Sequence, residues 1–371
     1  MLQKLLTQID EQKASDLYIS VGLPATMKLH GTLQSLTKHN LSEEEVFGLL
    51  KESMGESRFT EFKKAKEANY AINSSSSGRF RLSAFMQKEE PGMVIRRIER
   101  KIPSFEELHL PVQLKETCMM HRGLILFVGA TGSGKSTTQA AMVGYRNQNG
   151  SGHILTIEDP IEFVHEHGTC VVTQREVGID TASFDIALKN SLRQAPDVIL
   201  IGEIRTRETM EFALVFSETG HLCMATLHAN NANQALERIL HLVPKERHRQ
   251  FLFDLSVNLR AVVAQQLIPT VDGKSRRAVF EILFNTPTMA EAIRKGELHT
   301  LKEIMKNSST HGMQTFDQGL FNLYEQGVIG YSETIAHADS ANDVRLMVKL
   351  DSTEGRKAFG AHMLDDITLD Y

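Results

Sequence analysis

A glycine-rich segment, GATGSGKS at residues 129–136, directly follows the apolar residues 124–128. It matches the pattern G-x-x-x-x-G-K-[ST], in which glycines let backbone N–H groups turn toward a phosphate and the next helix presents its positive end. In this pattern Lys135 reaches the β- and γ-phosphates and the Ser136 hydroxyl coordinates Mg²⁺. We therefore expect ATP and Mg²⁺ as cofactors, and the predicted nucleotide-binding residues are Gly129, Ala130, Thr131, Gly132, Ser133, Gly134, Lys135, Ser136 and Thr137.

The hydrophobic pattern around this segment predicts an α/β fold. Short apolar runs at 154–157 and 198–201 alternate with longer stretches of helical period. Strands that are apolar on both faces are typical of a sheet covered by helices on either side. We expect this sheet over residues 118–285, a helical C-terminal subdomain over 286–350, and a mobile tail of mixed charge over 351–371.

Residues 1–100 predict a separate, smaller α+β domain. After an opening helix, residues 16–21 alternate in polarity as a strand does. Residues 41–66 have helical period, with Ser42 as a suitable N-cap ahead of three glutamates. Two prolines mark residues 101–117 as the linker to the next domain.

Residues 79–85 and 93–98 alternate in polarity and predict a hairpin, whose turn we place at Pro91 and Gly92. A charged hairpin is usually a solvated face. Its arginines could instead reach a neighbouring subunit's nucleotide and neutralise transition-state charge, or they could bind nucleic acid. The chain has a net charge of −5 and few aromatic residues in this region, which disfavours nucleic acid. The arginines concerned are Arg79, Arg81, Arg96, Arg97 and Arg100.

Acidic residues follow two of the predicted core strands. Glu203 comes two residues after the apolar residues 198–201, where it could orient or deprotonate an attacking water. Glu162 belongs to a group of three acids after 154–157, and such carboxylates collect near Mg²⁺-nucleotide sites. The alternative for both is a solvated strand end.

Two histidines, His221 and His228, stand on either side of the apolar residues 222–227. Imidazole can donate and accept hydrogen bonds near neutral pH, so this pair could sense the terminal phosphate. A histidine in such a position is by itself more often structural, and it is the placement beside the phosphate loop that favours the functional interpretation. No third ligand lies at a spacing that would favour a metal site.

Other classes of protein are disfavoured by simple counts. Three dispersed cysteines indicate reduced thiols rather than disulfides or a zinc site. No apolar run approaches the roughly 18 residues that span a bilayer. The acid-containing N-terminus is unlike a signal peptide, so we expect a cytoplasmic protein without a direct membrane span.

Taken together, these motifs resemble the secretion-type ATPases, in the PilT/PilU branch that retracts type IV pili. The resemblance extends over nearly the whole chain. It implies a PAS-like N-terminal domain and a RecA-like P-loop ATPase domain, assembled as a homohexamer that couples ATP hydrolysis to mechanical work. The matching segments are ASDL at 14–17, RFR at 79–81, the phosphate loop, IEDPIE at 157–162, LRQAPD at 192–197, GEIR at 202–205, TGH at 219–221 and TLH at 226–228.

The resemblance also implies roles for single residues. Lys135 and Ser136 match the Walker A pair, and Glu203 matches the Walker B glutamate. The functional acid of the family's Asp box corresponds to Glu162, and its paired histidines correspond to His221 and His228. The arginines that act on a neighbouring subunit correspond to Arg81 and Arg96.

Several departures from the PilT pattern are similar to the accessory PilU group: Thr206, the segment AIRKGE at 292–297, and residues 337–343. In the second of these, Gly296 is expected to weaken the helix by about 1 kcal/mol relative to alanine. The resemblance implies PilT and an inner-membrane pilus platform protein as partners, with a peripheral location at the pilus base.

Two other functions stay open from the sequence. A regulatory module could bind nucleotide on a PilT motor and hydrolyse little. An extension or secretion ATPase is disfavoured, because the three dispersed cysteines exclude the four-cysteine insertion that such relatives often carry.

Overall fold

The computed structural model describes residues 1–29, 31–74, 78–98, 101–308 and 312–352. Arg100 and the predicted mobile tail from residue 353 onward lie outside the described residues. Contacts divide the chain into two units. The first consists of Met1–Ile102, Ile161–Val164 and Gly178–Ala182, and the second contains the rest of the described chain.

The described part of the first unit is an antiparallel sheet packed against two helices. Its helices are α1 (Leu2–Glu11) and α2 (Glu43–Ala65), and its strands are β1 (Asp16–Ser20), β2 (Thr26–Leu29), β3 (Thr32–Ser35), β4 (Glu67–Ser74), β5 (Gly78–Gln87) and β6 (Glu90–Arg97). The strand order is β3-β2-β1-β6-β5-β4. Helix α2 begins with the predicted cap, because Ser42 and Glu45 exchange side-chain and backbone hydrogen bonds in a capping box.

Strands β5 and β6 form the predicted hairpin, but its turn is not where the sequence predicted it. Lys88 and Glu89 make the turn with φ of 49° and 68°, the positive values that two-residue hairpins require. The prediction of a turn at Pro91 and Gly92 is therefore wrong. Both residues lie within β6, where a side chain on Gly92 would clash with the ring of Phe85.

The second unit contains a sheet in the order β13-β12-β7-β11-β10-β8-β9, parallel except for the β12–β13 pair. This confirms the α/β prediction. The strands are β7 (Gly123–Val128), β8 (Gly152–Glu158), β9 (Cys170–Glu176), β10 (Val198–Ile201), β11 (Leu222–Leu227), β12 (Leu259–Pro269) and β13 (Arg276–Phe284).

Helices cover both faces of this sheet. They are α3 (Gln113–Cys118), α4 (Lys135–Asn149), α5 (Phe184–Ser191), α6 (Arg207–Glu218), α7 (Ala232–His241) and α8 (His248–Asn258). Strand β7 shows why both faces are apolar. Leu124 and Leu126 belong to the core on one side, whereas Ile125 and Phe127 belong to the core on the other.

The second unit also takes in residues on either side of the predicted sheet domain. Phe105 and Leu114, from the predicted linker, are buried in one of its cores. In the described part of the chain after the sheet, five helices follow: α9 (Pro287–Lys295), α10 (Leu301–Lys306), α11 (Phe316–Glu325), α12 (Tyr331–Ala336) and α13 (Ala341–Asp351). Gly296 does not weaken α9 from within, because it ends the helix with φ of 76°, a conformation that glycine adopts at little cost.

The described cysteines, Cys118, Cys170 and Cys223, are buried free thiols. Among the described residues, none of the helices combines the length and the apolar character needed to cross a bilayer.

Candidate functional site

Four neighbouring parallel strands of the second unit end at one edge of the sheet. Strand β7 leads into the phosphate loop, β11 into His228 and β10 into Glu203, while β8 ends at Glu158. The registers align these ends, since Val128 lies opposite Leu227, Ala225 opposite Ile201, and Ile201 opposite Ile157. Ligands of open α/β sheets bind at the carboxyl ends of the strands, so this edge is the candidate site.

The phosphate loop has the backbone that an anion cradle needs. Gly129, Gly132 and Gly134 have φ of 149°, 79° and 87°, and helix α4 starts at Lys135 directly after them. A side chain on Gly129 would lie 2.5 Å from the Ser133 hydroxyl, so only glycine allows this close turn. Among the described residues, the buried Ser133 hydroxyl has no hydrogen-bond partner. Such a loop and helix end fit a phosphate.

Lys135 is buried at the base of the loop. Its ammonium group donates to the carbonyl oxygens of Gly129 and Ala130, at 2.8 and 2.7 Å. These bonds hold the positive charge against the loop, where a bound phosphate would lie. The neighbouring Ser136 is half-buried in the first turn of α4.

Glu203 is largely shielded from solvent, with 12% of its side chain exposed. One carboxylate oxygen is 2.5 Å from the guanidinium of Arg205, and the other is 3.6 Å from Nε2 of His228. Glu203 thus lies between a cation and an imidazole at the end of β10. Sequence reasoning quoted Arg205 only as part of a motif and gave it no role.

The surroundings of His228 favour its neutral form. Burial lowers the pKa of His228, the charge of Lys135 lowers it further, and Glu203 acts in the opposite direction. A neutral imidazole can donate with one nitrogen and accept with the other, so His228 is able to bridge Glu203 and a phosphate oxygen.

His221 lies at the other end of the same strand. Its Nδ1 is 3.1 Å from the Phe216 carbonyl oxygen and 3.0 Å from the Thr219 hydroxyl. Strand β11 spans about 20 Å at 3.3 Å per residue, so His221 cannot contact a nucleotide in this chain's own phosphate loop. Its role stays a prediction that requires an indirect or intersubunit route.

Glu158, the last residue of β8, and Glu162 belong to different units by their contacts. Glu158 stays with the sheet edge, where it accepts from Thr156 at 2.6 Å and Gln174 at 3.2 Å. Glu162 is exposed and is grouped with the first unit by its contacts. Its catalytic role therefore stays a prediction, and Glu158 is the acid that sequence reasoning passed over.

Buried glutamines connect the loop helix to the neighbouring strands. Thr138 donates to Gln265 of β12 at 2.8 Å, and Thr226 donates to Gln139 at 3.2 Å. A side chain on Gly134 would lie 2.8 Å from Gln265. Nothing in the local sequence around Gln265 points to the loop, because the contact is long-range.

Two clefts flank the phosphate loop. One has a volume of about 400 Å³ and is lined by Gly129, Ala130, His228, Gln234 and Arg238 among others. The other has a volume of about 340 Å³, and its lining includes Ala130, Ser133, Gln265, Arg276 and His337. Polar and charged side chains in both suit a phosphorylated ligand.

The predicted arginines lie in the first unit. Arg81 of β5 and Arg96 of β6 are directly paired across the hairpin, and Phe80 points to the opposite face and is fully buried. This confirms the predicted alternation. Arg81 has no hydrogen bond or ion pair within the part of the chain that the structure describes, whereas Arg96 is bound to Asp16.

A buried acid, Glu281, binds the first residue of a helix that lines the first cleft. Glu281 of β13 is 1% exposed and accepts a 2.8 Å hydrogen bond from the backbone N–H of Ala232, the first residue of α7. Helix α7 carries Gln234 and Arg238 of the first cleft. Burial raises the pKa of Glu281 to about 7, against a usual value of 4.5.

The raised pKa predicts that Glu281→Gln changes how stability depends on pH. The folded state binds the proton more tightly than the unfolded state, so this contribution to stability is complete below pH 4.5 and is lost as pH rises through about 7. We expect the unfolding free energy of the variant, relative to wild type, to increase by about 2 kcal/mol from pH 5 to pH 8. Chemical denaturation at both pH values measures it.

The exposed Glu303→Gln on α10 is the control and should show no such change with pH. A difference between Glu281→Gln and wild type that is the same at both pH values would contradict the assignment.

Comparisons with known proteins identify the family of this chain. The profile of the family described as type II/IV secretion system protein matches residues 1–362. The type IV pilus ATPase PilU of Pseudomonas aeruginosa is 59% identical over 350 residues, covering 94% of this chain and 92% of PilU. PilT of the same organism, described as a type IV pilus retraction ATPase, is 38% identical over 328 residues, covering 88% of this chain and 95% of PilT.

A solved structure gives the same result for the fold. The crystal structure of the pilus retraction motor PilT with bound ADP superposes with a TM-score of 0.87 at 35% identity, covering 93% of this chain and 99% of that one. These similarities confirm the resemblance drawn from the sequence motifs, and they agree with a chain that has both an N-terminal unit and an ATPase unit.

Proposed function

The chain belongs to the type II/IV secretion system protein family, and from this premise we propose that it is a hexameric ATPase motor that drives type IV pilus retraction, as a PilU-type accessory to PilT. The observation that carries the proposal is the alignment of phosphate loop, His228 and Glu203 at one sheet edge. This edge combines an anion cradle with a carboxylate.

In this proposal the loop backbone from Gly129 to Thr137 binds the ATP phosphates, and Lys135 neutralises their charge. Glu203 orients or deprotonates the attacking water, and His228 responds to the terminal phosphate. The cleft beside His228 takes the terminal phosphate, and the cleft beside Gln265 takes the rest of the nucleotide.

Mg²⁺ fits the donor atoms at this edge. The Ser136 hydroxyl and the carboxylate of Glu203 or Glu158 are oxygen ligands, which Mg²⁺ prefers. When bound, Mg²⁺ would neutralise charge that develops on the phosphates. Among the described residues, no three His, Cys, Asp or Glu side chains form a metal cluster by themselves, which agrees with a metal held partly by the nucleotide.

The proposed partners follow from the relatives. We propose that the chain works with PilT and with a platform protein at the inner-membrane base of the pilus, from the cytoplasmic side. Arg81 and Arg96 would complete the nucleotide site of a neighbouring subunit, and the absence of an ion pair on Arg81 within the described chain supports this.

A second candidate is a regulatory module that binds nucleotide and hydrolyses little. It is favoured by the ion pair between Glu203 and Arg205, because a carboxylate held by a guanidinium is less available to the attacking water. Steady-state ATPase activity of the pure hexamer separates the two. In the host, deleting the gene and imaging pilus retraction with PilT present and absent tests the motor role.

We predict that Lys135→Ala weakens ATP binding by about 10- to 100-fold, because the variant loses a charge-assisted bond to the phosphates. Titration with a fluorescent ATP analogue measures it. The exposed Lys189→Ala on α5 serves as the matched control and should bind as wild type does. Unchanged affinity in Lys135→Ala would contradict the assignment of the phosphate loop.

A further inference from the structure

Three charged residues form a row across the sheet of the first unit. Asp16 of β1 lies directly opposite Arg96 of β6, and Arg96 lies directly opposite Arg81 of β5. Directly opposed residues share one face of a sheet, so the three side chains are neighbours. The row places Arg96 between an acid and a second arginine.

Asp16 binds Arg96 through one atom. The Nε of Arg96 donates to Oδ1 of Asp16 at 2.8 Å, and the Ser15 hydroxyl donates to Oδ2 at 2.9 Å. Both carboxylate oxygens are therefore engaged. Among the described residues the terminal nitrogens of the Arg96 guanidinium have no partner, which leaves them available for a ligand.

Burial is unequal within the pair. The Asp16 side chain is 7% exposed, whereas that of Arg96 is 69% exposed. The buried carboxylate of Asp16 is therefore the fixed partner of the ion pair, and the exposed guanidinium of Arg96 projects into solvent. A long, exposed arginine samples many rotamers, and an anchor at Nε reduces that freedom.

Asp16 also offsets a repulsion. Like charges directly opposite on neighbouring strands destabilise a sheet, and Arg81 and Arg96 are such a pair. The negative charge on the far side of Arg96 draws that guanidinium toward β1. Without it, the repulsion and the lost anchor would both displace Arg96.

We propose that Asp16 is a positioning residue that holds the Arg96 guanidinium ready for the phosphates of a nucleotide on a neighbouring subunit. This inference rests on the proposed intersubunit role of Arg96. Ser15 supports Asp16 by occupying its second oxygen. A positioned arginine accelerates the chemical step, so Asp16 affects kcat rather than the KM for ATP.

The test compares Asp16→Ala and Asp16→Asn in the full-length hexamer. We expect Asp16→Ala to lower kcat by about tenfold, with KM for ATP little changed. Asn keeps an oxygen acceptor but loses the charge, so Asp16→Asn should give an intermediate kcat. Thermal unfolding and the hexamer fraction are measured on both variants.

Arg96→Ala provides the background that separates positioning from folding. If Asp16 acts through Arg96, adding Asp16→Ala to Arg96→Ala lowers kcat no further. If Asp16→Ala lowers kcat equally in both backgrounds, its role is structural and the inference is overturned.

Asp10→Ala is the matched control, because Asp10 lies 3.7 Å from Arg97. Arg97 is adjacent to Arg96 but points to the other face of the sheet, so this variant should keep the wild-type kcat. A loss equal to that of Asp16→Ala would overturn the inference.

The design distinguishes failure of this inference from failure of the function proposed for Arg96. A wild-type kcat in Arg96→Ala would remove the intersubunit role of Arg96, and the inference would fall with it. A reduced kcat in Arg96→Ala with a wild-type kcat in Asp16→Ala would overturn the positioning role alone.

Discussion

Replacing Glu203 with glutamine is expected to lower kcat for ATP hydrolysis by about 10²- to 10⁴-fold, the range associated with loss of a general base. ATP should still bind, because the phosphate loop and Lys135 are unchanged. Binding and chemistry are thereby separated in one variant. Single-turnover hydrolysis measures the chemical step, and titration with labelled ATP measures the affinity.

The structure explains why the amide is a suitable probe. Glutamine has the shape of glutamate, and its carbonyl oxygen can still accept from Arg205. It cannot take a proton from water at neutral pH. The loss in kcat therefore reports the charge and basicity of Glu203 rather than a rearranged site.

Glu208→Gln is the control for this variant. Glu208 is exposed in the first turn of α6, on the same connection as Glu203. It should keep wild-type turnover. Wild-type turnover in Glu203→Gln itself would remove Glu203 from the mechanism and would favour Glu158 as the residue that acts on water.

Local patterns predicted the parts of this site that depend on neighbours in sequence. The phosphate loop is predictable because one segment contains the strand end, the glycines and the helix start. Glu203 and His228 are predictable as ends of apolar strands. Each of these predictions requires only the period of the hydrophobic pattern and the type of the residue that follows it.

The unpredicted parts depend on contacts between distant segments. The sequence does not specify that β11 lies between β7 and β10, which is what brings His228 beside Glu203. Gln265 reaches the loop helix from more than a hundred residues away. Glu158 belongs to the second unit by its contacts and Glu162 to the first, and residue type alone does not distinguish the two acids.

The misplaced hairpin turn has a different cause. Proline and glycine are common turn residues, so the sequence pattern predicted the turn at Pro91 and Gly92. Lys88 and Glu89 take the positive φ values because the pairing of β5 with β6 and of β6 with β1 determines the register. Tertiary pairing therefore outweighed local preference.

A second large effect is expected for Arg81→Ala, which should lower kcat by about 10³-fold if Arg81 completes a neighbouring site. Arg81 is suited to this because it lies on the face opposite Phe80 and has no ion pair in the described part of its own chain. A guanidinium can bind two phosphate oxygens at once. A solvated charged hairpin would instead predict almost no loss.

Mixing two inactive variants distinguishes action within a subunit from action between subunits. Arg81→Ala keeps its own Glu203, and Glu203→Gln keeps its own Arg81. In mixed hexamers, some intact Glu203 sites face a neighbour that carries an intact Arg81. We therefore expect ATPase activity to return in the mixture above the sum of the two parts.

The control replaces the Glu203→Gln chain in the mixture by a chain that carries both Arg81→Ala and Glu203→Gln. This double variant supplies neither an intact Arg81 nor an intact Glu203, so mixing it with Arg81→Ala should restore no ATPase activity. Subunit exchange is verified by mass spectrometry of the mixed hexamers. Action within one subunit predicts that both mixtures stay as inactive as their parts, because no chain then holds both groups. If the arginine of one subunit acts on the nucleotide of the next, ATPase activity should return when Arg81→Ala is mixed with Glu203→Gln and should not return when it is mixed with the double variant.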